Sequence, residues 1–320
     1  MKVPSFLNDA QVEIPIICGA MYPCSNPELV AAASEAGGLG IVQPLSLTYV
    51  HGHDLRDGLR RIRELTDKPI GFNVIVEKSV RIYEKRMQEW VDIALEEGVR
   101  FFITALGDPK WVVERAEQNG GVVYHDVTNR KHADKALARG VKGLLCVNNR
   151  AGGHAGVLSP QQLYNDLQTL DVPLICAGGI GDRESYLEAL SLGYQAVQMG
   201  TRFIATKECT AHDSYKQAII NAKAEDIVLT DRVTGVPLAV INTPYLKKVG
   251  ARAGWFARWL LKGRKTKHLM RLIYSLKSVF KLKNANFKPL STKDFWQAGK
   301  SVAGVKEVLS VKEVFSELTS

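Results

Sequence analysis

The chain has 320 residues, enough for one α/β barrel of about 250 residues with an appendage, or for two domains. Its hydrophobic share of 46% and charged share of 23% are those of an ordinary soluble globular protein. The net charge of +9 is concentrated: Arg232 to Lys293 holds 15 Lys and Arg and no Asp or Glu, leaving 27 of the 42 basic residues against all 33 acidic ones elsewhere. The basic balance therefore says nothing about partners of the first 230 or so residues.

No stretch of some 18 uninterrupted apolar residues is present, which argues against a transmembrane helix. The start, MKVPSFLNDAQVEIPII, carries Asp9 and Glu13 and has no continuous apolar core of a signal peptide. The five cysteines (Cys18, Cys24, Cys146, Cys176 and Cys209) form no CxxC pair, and three lie in apolar strand-like runs. Reduced core thiols in a cytoplasmic protein fit this better than disulfides or a zinc site.

From the N-terminus one rhythm repeats: a short apolar run, a turn marked by Gly or Pro, then a helical pattern. The runs are PIICGA (15–20), LGIVQP (39–44), PIGFNVIV (69–76), RFFITAL (100–106), VVYHDV (122–127), GLLCVN (143–148), PLICAG (173–178) and AVQMGTRF (196–203). Continuous apolar strands of this kind suit a parallel sheet buried on both faces. Helices between them have recognisable starts, at Ser25 or Asn26 before Pro27, at Asp108–Pro109, at Ser159–Pro160 and at Asp182. Eight such units predict an α/β fold, a (β/α)8 TIM barrel over residues 1–243, with a mostly helical basic C-terminal extension over 244–320. A doubly wound sheet is the alternative, but it rarely needs eight such regular units.

In barrel enzymes the active site lies at the C-terminal ends of the strands. Met21 follows strand one there, Asn73 lies on strand three, and NNRAGGHAG (148–156), with His154 among glycines, follows strand six. Alone, that last stretch reads as a turn with a surface histidine; at the mouth of a barrel, His154 becomes a functional candidate. AGGIGDRES (177–185) sets glycines between strand seven and a helix start, and QMGTRF (198–203) ends strand eight with Gly200 and Thr201. Together they suit a phosphate-bearing ligand, since backbone N–H groups freed by glycine make an anion cradle. No GxGxxG follows strand one and no GxxxxGK[ST] occurs, so neither a Rossmann dinucleotide site nor a P-loop is indicated.

GAM (19–21), SNPELVAAASEAGGLG (25–40), GFNV (71–74), AGGHAG (151–156), VPLICAGGI (172–180) and QMGT (198–201) together resemble the nitronate monooxygenases, also called 2-nitropropane dioxygenases. The resemblance covers about the first 240 residues and implies an FMN-binding barrel. It implies that Gly19, Ala20 and Met21 lie against the isoalloxazine and that Asn73 hydrogen-bonds it. Gly152 and Gly153 would bring their loop to the cofactor, and Gly178, Gly179, Gln198, Met199, Gly200 and Thr201 would hold the ribityl phosphate. His154 would be the catalytic histidine. Family members often have a cofactor-contacting lysine near Lys131, for which a solvated helix position is the equal alternative. The family usually reads QGxEAGGH; Val147, Asn148, Asn149 and Arg150 stand here instead, which removes a cofactor hydrogen bond and reverses a charge expected at the rim.

The implied reaction oxidises a nitronate or nitroalkane with O2 to a carbonyl compound and nitrite, with His154 removing the α-proton of a neutral nitroalkane. The same superfamily includes NAD(P)H-dependent FMN reductases of enoyl thioesters and quinones, and the motifs do not separate the two. His51 and His53 have a spacing that could face a metal, but Asp54 beside them suits a helix cap better, and no metal site is expected. His125 and His132 are further candidates to line the site. Residues 246–283 alternate cations with Trp255, Trp259, Leu260, Ile273 and Phe280. They fit a lid or a homodimer interface better than peripheral membrane contact, and nucleic-acid binding is not expected.

Overall fold

Eight short parallel strands close on themselves: β1 (Ile16–Cys18), β2 (Leu39–Val42), β3 (Ile70–Ile75), β4 (Phe101–Ala105), β5 (Val122–Val127), β6 (Gly143–Val147), β7 (Leu174–Ala177) and β8 (Ala196–Met199). Each pairs with its sequence neighbour, and Ile17 of β1 against Gln198 of β8 completes the ring. This computed structural model describes residues 5–77, 81–233, 235–252 and 295–320. The (β/α)8 barrel expected from eight apolar runs is the observed fold.

Alternation along each strand divides two apolar layers. Ile17, Leu39, Ile41, Phe101, Ile103, Tyr124, Leu145, Ile175 and Ala196 fill the barrel. Cys18, Val42, Phe72, Val74, Phe102, Val127, Leu144, Cys146 and Val197 face the helices. Strands buried on both sides need apolar residues at both parities, so they read as continuous runs. The five cysteines are buried and unbridged.

The helices are α1 (Ser5–Ala10), α2 (Pro27–Glu35), α3 (Leu55–Leu65), α4 (Arg81–Glu96), α5 (Lys110–Gln118), α6 (Arg130–Leu137), α7 (Pro160–Leu167), α8 (Arg183–Ser191), α9 (Thr201–Ile204) and α10 (Asp213–Asn221). Asp54 caps α3 by accepting from the Arg56 N–H, and Ser159 and Asp182 open α7 and α8 with capping boxes. Helix α1 closes the bottom of the barrel: Phe6 meets Phe101 edge-on at 6.0 Å, and Tyr124 OH donates to Asp9 Oδ2 at 2.8 Å. Among the described residues, the opposite end holds the cavity.

After the barrel comes an antiparallel hairpin, β9 (Ile227–Thr230) with β10 (Leu238–Ile241), which no sequence signal had indicated, and then α11 (Pro244–Val249). Residues 295–320 return to the barrel. Trp296 stacks on Tyr215 at 5.7 Å, and Phe315 of α12 (Val311–Thr319) lies 5.9 Å from Phe203. Most of the basic run at 246–283, with its suggested lid, dimer and membrane roles, lies outside the described residues. Among the described residues, no helix is long and apolar enough to cross a membrane.

Candidate active site

The open end holds a cavity of about 1210 Å³. Strand ends β1, β7 and β8 and the loop after β6 form one side of it. Gly19, Ala20, Met21, Gly152, Gly153, His154, Gly178, Gly179, Gln198, Met199, Gly200 and Thr201 all line it. Two residues expected there do not. Asn73 is inward-facing by parity and buried on β3, but is not part of the cavity wall. Lys131 is exposed at the start of α6, where a second-position side chain turns to solvent; His132, Lys135 and Arg139 of that helical region reach the cavity instead.

Several of the glycines are required by packing. A Cβ on Gly178 (φ +116°) would lie 2.6 Å from the backbone of Ala151, and one on Gly152 would lie 2.9 Å from Gly299 N. Gly152 thus makes room for the returning C-terminal chain, a different reason from the approach to a cofactor implied by its motif. Gly299 N–H in turn donates to Thr201 Oγ1 at 3.0 Å. A Cβ on Gly19 would press to 2.9 Å from Gln198 Cγ, so β1 and β8 meet closely at the rim.

The rim of β7 fits an anion. Gly178 and Gly179 both have positive φ, +116° and +92°. Among the described residues, neither the Gly179 nor the Ile180 N–H is donated to a protein acceptor. Unspent donors on successive residues, turned by two glycines of positive φ, are the elements of an anion-binding nest. The helix start that follows is not itself the cradle, because Asp182 occupies it with its own carboxylate. These features fit the phosphate of a flavin mononucleotide.

His154 sits on a loop closed at both ends. Gly156 N–H donates to Asn148 O at 3.2 Å and Asn149 N–H to Leu158 O at 2.9 Å. Ala239 N–H of β10 donates to Gly153 O at 2.7 Å, so the unforeseen hairpin pins the loop beside the histidine. The His154 side is accessible from the mouth, while the surrounding protein excludes enough water to hold its pKa below the ordinary 6.5.

One expectation about the departures from the family motif changes. Arg150 does not charge the rim; it turns outward and pairs with Glu188 of α8 at 3.0 Å. Asn148 is fully buried, donating to Gly178 O. Val147 does line the cavity, where it offers no hydrogen bond.

The sequence reading omitted a carboxylate. Asp126 lies between Tyr124, inside the barrel, and Val127, outside, and its side chain reaches the cavity wall. Its Oδ1 is shut off from solvent and, among the described residues, has no hydrogen-bond partner, and burial pushes its pKa up to about 7. Counting parity from Tyr124 along VVYHDV would have found it. His125, of the opposite parity, also lines the cavity, as expected of it, and contacts Thr104 Oγ1 at 2.8 Å; burial first, then His132, lowers its pKa to about 4. Tyr22, Tyr215, Gln297 and Ser301 also line the cavity, the last two from the C-terminal return, where no local signal marks them. His51 and His53 are not part of the wall.

Barrel, glycine-lined rims and histidine loop are accompanied by a match to the family model described as "Nitronate monooxygenase" over residues 5–320. The chain belongs to the nitronate monooxygenase family. This is a family of oxidoreductases. A (3aS,4S,5R,7aS)-5-hydroxy-7a-methyl-1-oxo-octahydro-1H-indene-4-carboxyl-CoA dehydrogenase of Rhodococcus jostii is 31% identical over 233 residues, 72% of this chain and 64% of that protein. The nitronate monooxygenase of Paraburkholderia phytofirmans is 27% identical over 267 residues, 70% of this chain and 72% of the relative. Among solved structures, FabK from Thermotoga maritima matches with a TM-score of 0.80 and 28% identity, covering 98% of this chain and 94% of the other. A nitroalkane oxidase from Streptomyces ansochromogenes, at 21% identity and a TM-score of 0.78 over 98% of both chains, shares the fold.

Proposed function

We propose that the protein binds FMN at the barrel mouth and oxidises nitronates or nitroalkanes with O2 to carbonyl compounds and nitrite. The observation that carries this is the shared cavity: an unspent anion nest on β7 and the His154 loop after β6 open onto the same space. Gly178, Gly179, Gly200 and Thr201 would hold the phosphate, and Gly19 to Met21 would flank the ring. FMN held there would supply a two-electron acceptor that O2 can reoxidise. The His154 imidazole takes the α-proton of a neutral nitroalkane; with a preformed nitronate it donates a hydrogen bond to the anion instead. Its lowered pKa keeps it neutral, and so competent as a base, at and somewhat below neutral pH.

A second reading is supported by the relatives: the Rhodococcus protein is a carboxyl-CoA dehydrogenase and FabK matches nearly the full chain. On that reading the same site exchanges hydride equivalents between a pyridine nucleotide and a thioester. The spectrum of FMN-loaded protein under anaerobic conditions separates the two. Bleaching by ethylnitronate with no response to NADPH or NADH supports nitronate oxidation. Bleaching by a pyridine nucleotide, and none by the nitronate, supports the second reading. A protein that cannot take up FMN refutes both.

A further inference from the structure

Every buried acceptor in a folded protein calls for a donor, and more than about 90% of such groups have one. Among the described residues Asp126 Oδ1 has none, and the residue, half-buried, lines the cavity at the mouth. The residues around it explain why the protein supplies no partner. On β6 its registered neighbour is Leu145, with Val147 above; on β4 the inward residues are Ile103 and Ala105. None of these can donate from a side chain or titrate. His125, next along its own strand, is engaged by Thr104, and Cys146, on the outer face of β6, is a thiol whose ionisation is opposed by burial first and by the Asp126 charge least. The charged side chains and histidines that share the cavity wall are Asp108, His125, His132, Lys135, Arg139 and His154, and none of them hydrogen-bonds Asp126 Oδ1.

In an eight-strand ring β5 lies opposite β1, and the anion nest lies on β7. Gly19 to Met21, the glycines of the nest and Asp126 line one continuous cavity, so a flavin whose phosphate Gly178 and Gly179 would hold would share that space with the Asp126 carboxylate. We infer that Asp126 is the residue that accepts a hydrogen bond from a ring N–H of the bound flavin and takes up a proton when that flavin is reduced. This rests on the FMN reading above. The step balances simply. Two electrons from an external reductant enter the ring together with the proton the ring takes for itself, and the Asp126 carboxylate takes one further proton from solvent to become the neutral acid. The physical cause is that added negative charge on the ring, in a site with little water, disfavours a second negative charge beside it. An ionised Asp126 therefore holds electrons off the ring, and a protonated one does not.

The test compares wild type with Asp126→Asn, which keeps the size and removes the charge, by dye-equilibrated reduction of the FMN-loaded proteins between pH 5.5 and 8.5. Above pH 7 the wild-type ratio of oxidised to reduced flavin, at a fixed potential, rises by a further tenfold per pH unit relative to the variant. That extra proton is about 30 mV per pH unit for a two-electron couple. Below pH 6 the two proteins converge. FMN titration by fluorescence quenching is run alongside, so that a variant with lost folding or lost cofactor is recognised. The wild-type slope provides a reading that needs no variant: a midpoint falling by only about 30 mV per pH unit from pH 7 to 8.5 means that a single proton accompanies the electrons. That slope, or equal slopes in two proteins that both hold FMN, overturns the Asp126 inference and leaves the FMN reading intact. Wild-type protein that binds no FMN overturns both.

Discussion

Asn148 Nδ2 donates to Gly178 O at 2.9 Å, joining the loop that carries His154 to the rim that forms the anion nest. The same amide accepts from the Arg150 N–H at 2.8 Å through Oδ1, so the buried side chain is used at both ends. The two halves of the site are thereby held at a fixed spacing, and neither can relax without leaving a buried polar group unpaired.

Replacing Asn148 by Ala leaves the Gly178 carbonyl and the Arg150 N–H without their partner. A cost of about 1–3 kcal/mol is expected. Urea unfolding of the cofactor-free protein measures it, and FMN affinity should fall with it because the nest loses its brace. Unchanged affinity would show that the two loops are independent.

Gly178→Ala should be more damaging to cofactor binding than to the rest of the fold. Its φ of +116° disfavours any side chain, and the new methyl would collide with the Ala151 backbone at 2.6 Å. We expect FMN affinity to fall at least about 100-fold, or roughly 2.7 kcal/mol. Fluorescence titration of FMN decides it, with circular dichroism reporting whether the barrel is intact.

His154→Ala should keep FMN and lose about 10²- to 10⁴-fold in kcat on a neutral nitroalkane, the range for removal of a general base. Turnover of a preformed nitronate should suffer much less. In the wild type, the acid limb for the neutral substrate should fall at a pH below 6.5, since the imidazole's pKa is lowered. Equal loss on both substrates would remove His154 from proton abstraction.

His125 supplies a stability prediction. Its folded pKa of about 4 lies below the ordinary 6.5, so the unfolded chain binds the proton first as pH falls. The stability this contributes is present above about pH 6.5 and is lost progressively toward pH 4. His125→Gln should flatten the acid side of a plot of urea midpoint against pH over that window. A variant whose acid limb parallels wild type would mean that other groups carry it.

The barrel was legible because its cause is local and repeated. Runs such as GLLCV and PLICA must be apolar at both parities to be buried on two faces, and Ser159 and Asp182 mark helix starts by their own chemistry. The site was partly legible for the same reason: glycines at strand ends and one histidine among them are visible in any order of reading. Lys131, left equally open between a cofactor contact and a solvated helix position, is exposed, a choice that sequence spacing alone does not resolve. Gly152 was recognised for its motif, whereas the atom that requires it belongs to Gly299, nearly 150 residues later.

What the sequence determined by itself is periodicity: which segments form strands and helices, that eight of them follow in order, and which loops lie at the open end. The tertiary structure alone decided which residues meet. It directed Arg150 outward to Glu188, brought β10 against the His154 loop, and left Asp126 facing a cavity without a donor. Local pattern follows from each segment's need to bury one face, but pairing and desolvation depend on atoms far apart in the chain, and those become neighbours only when the barrel closes.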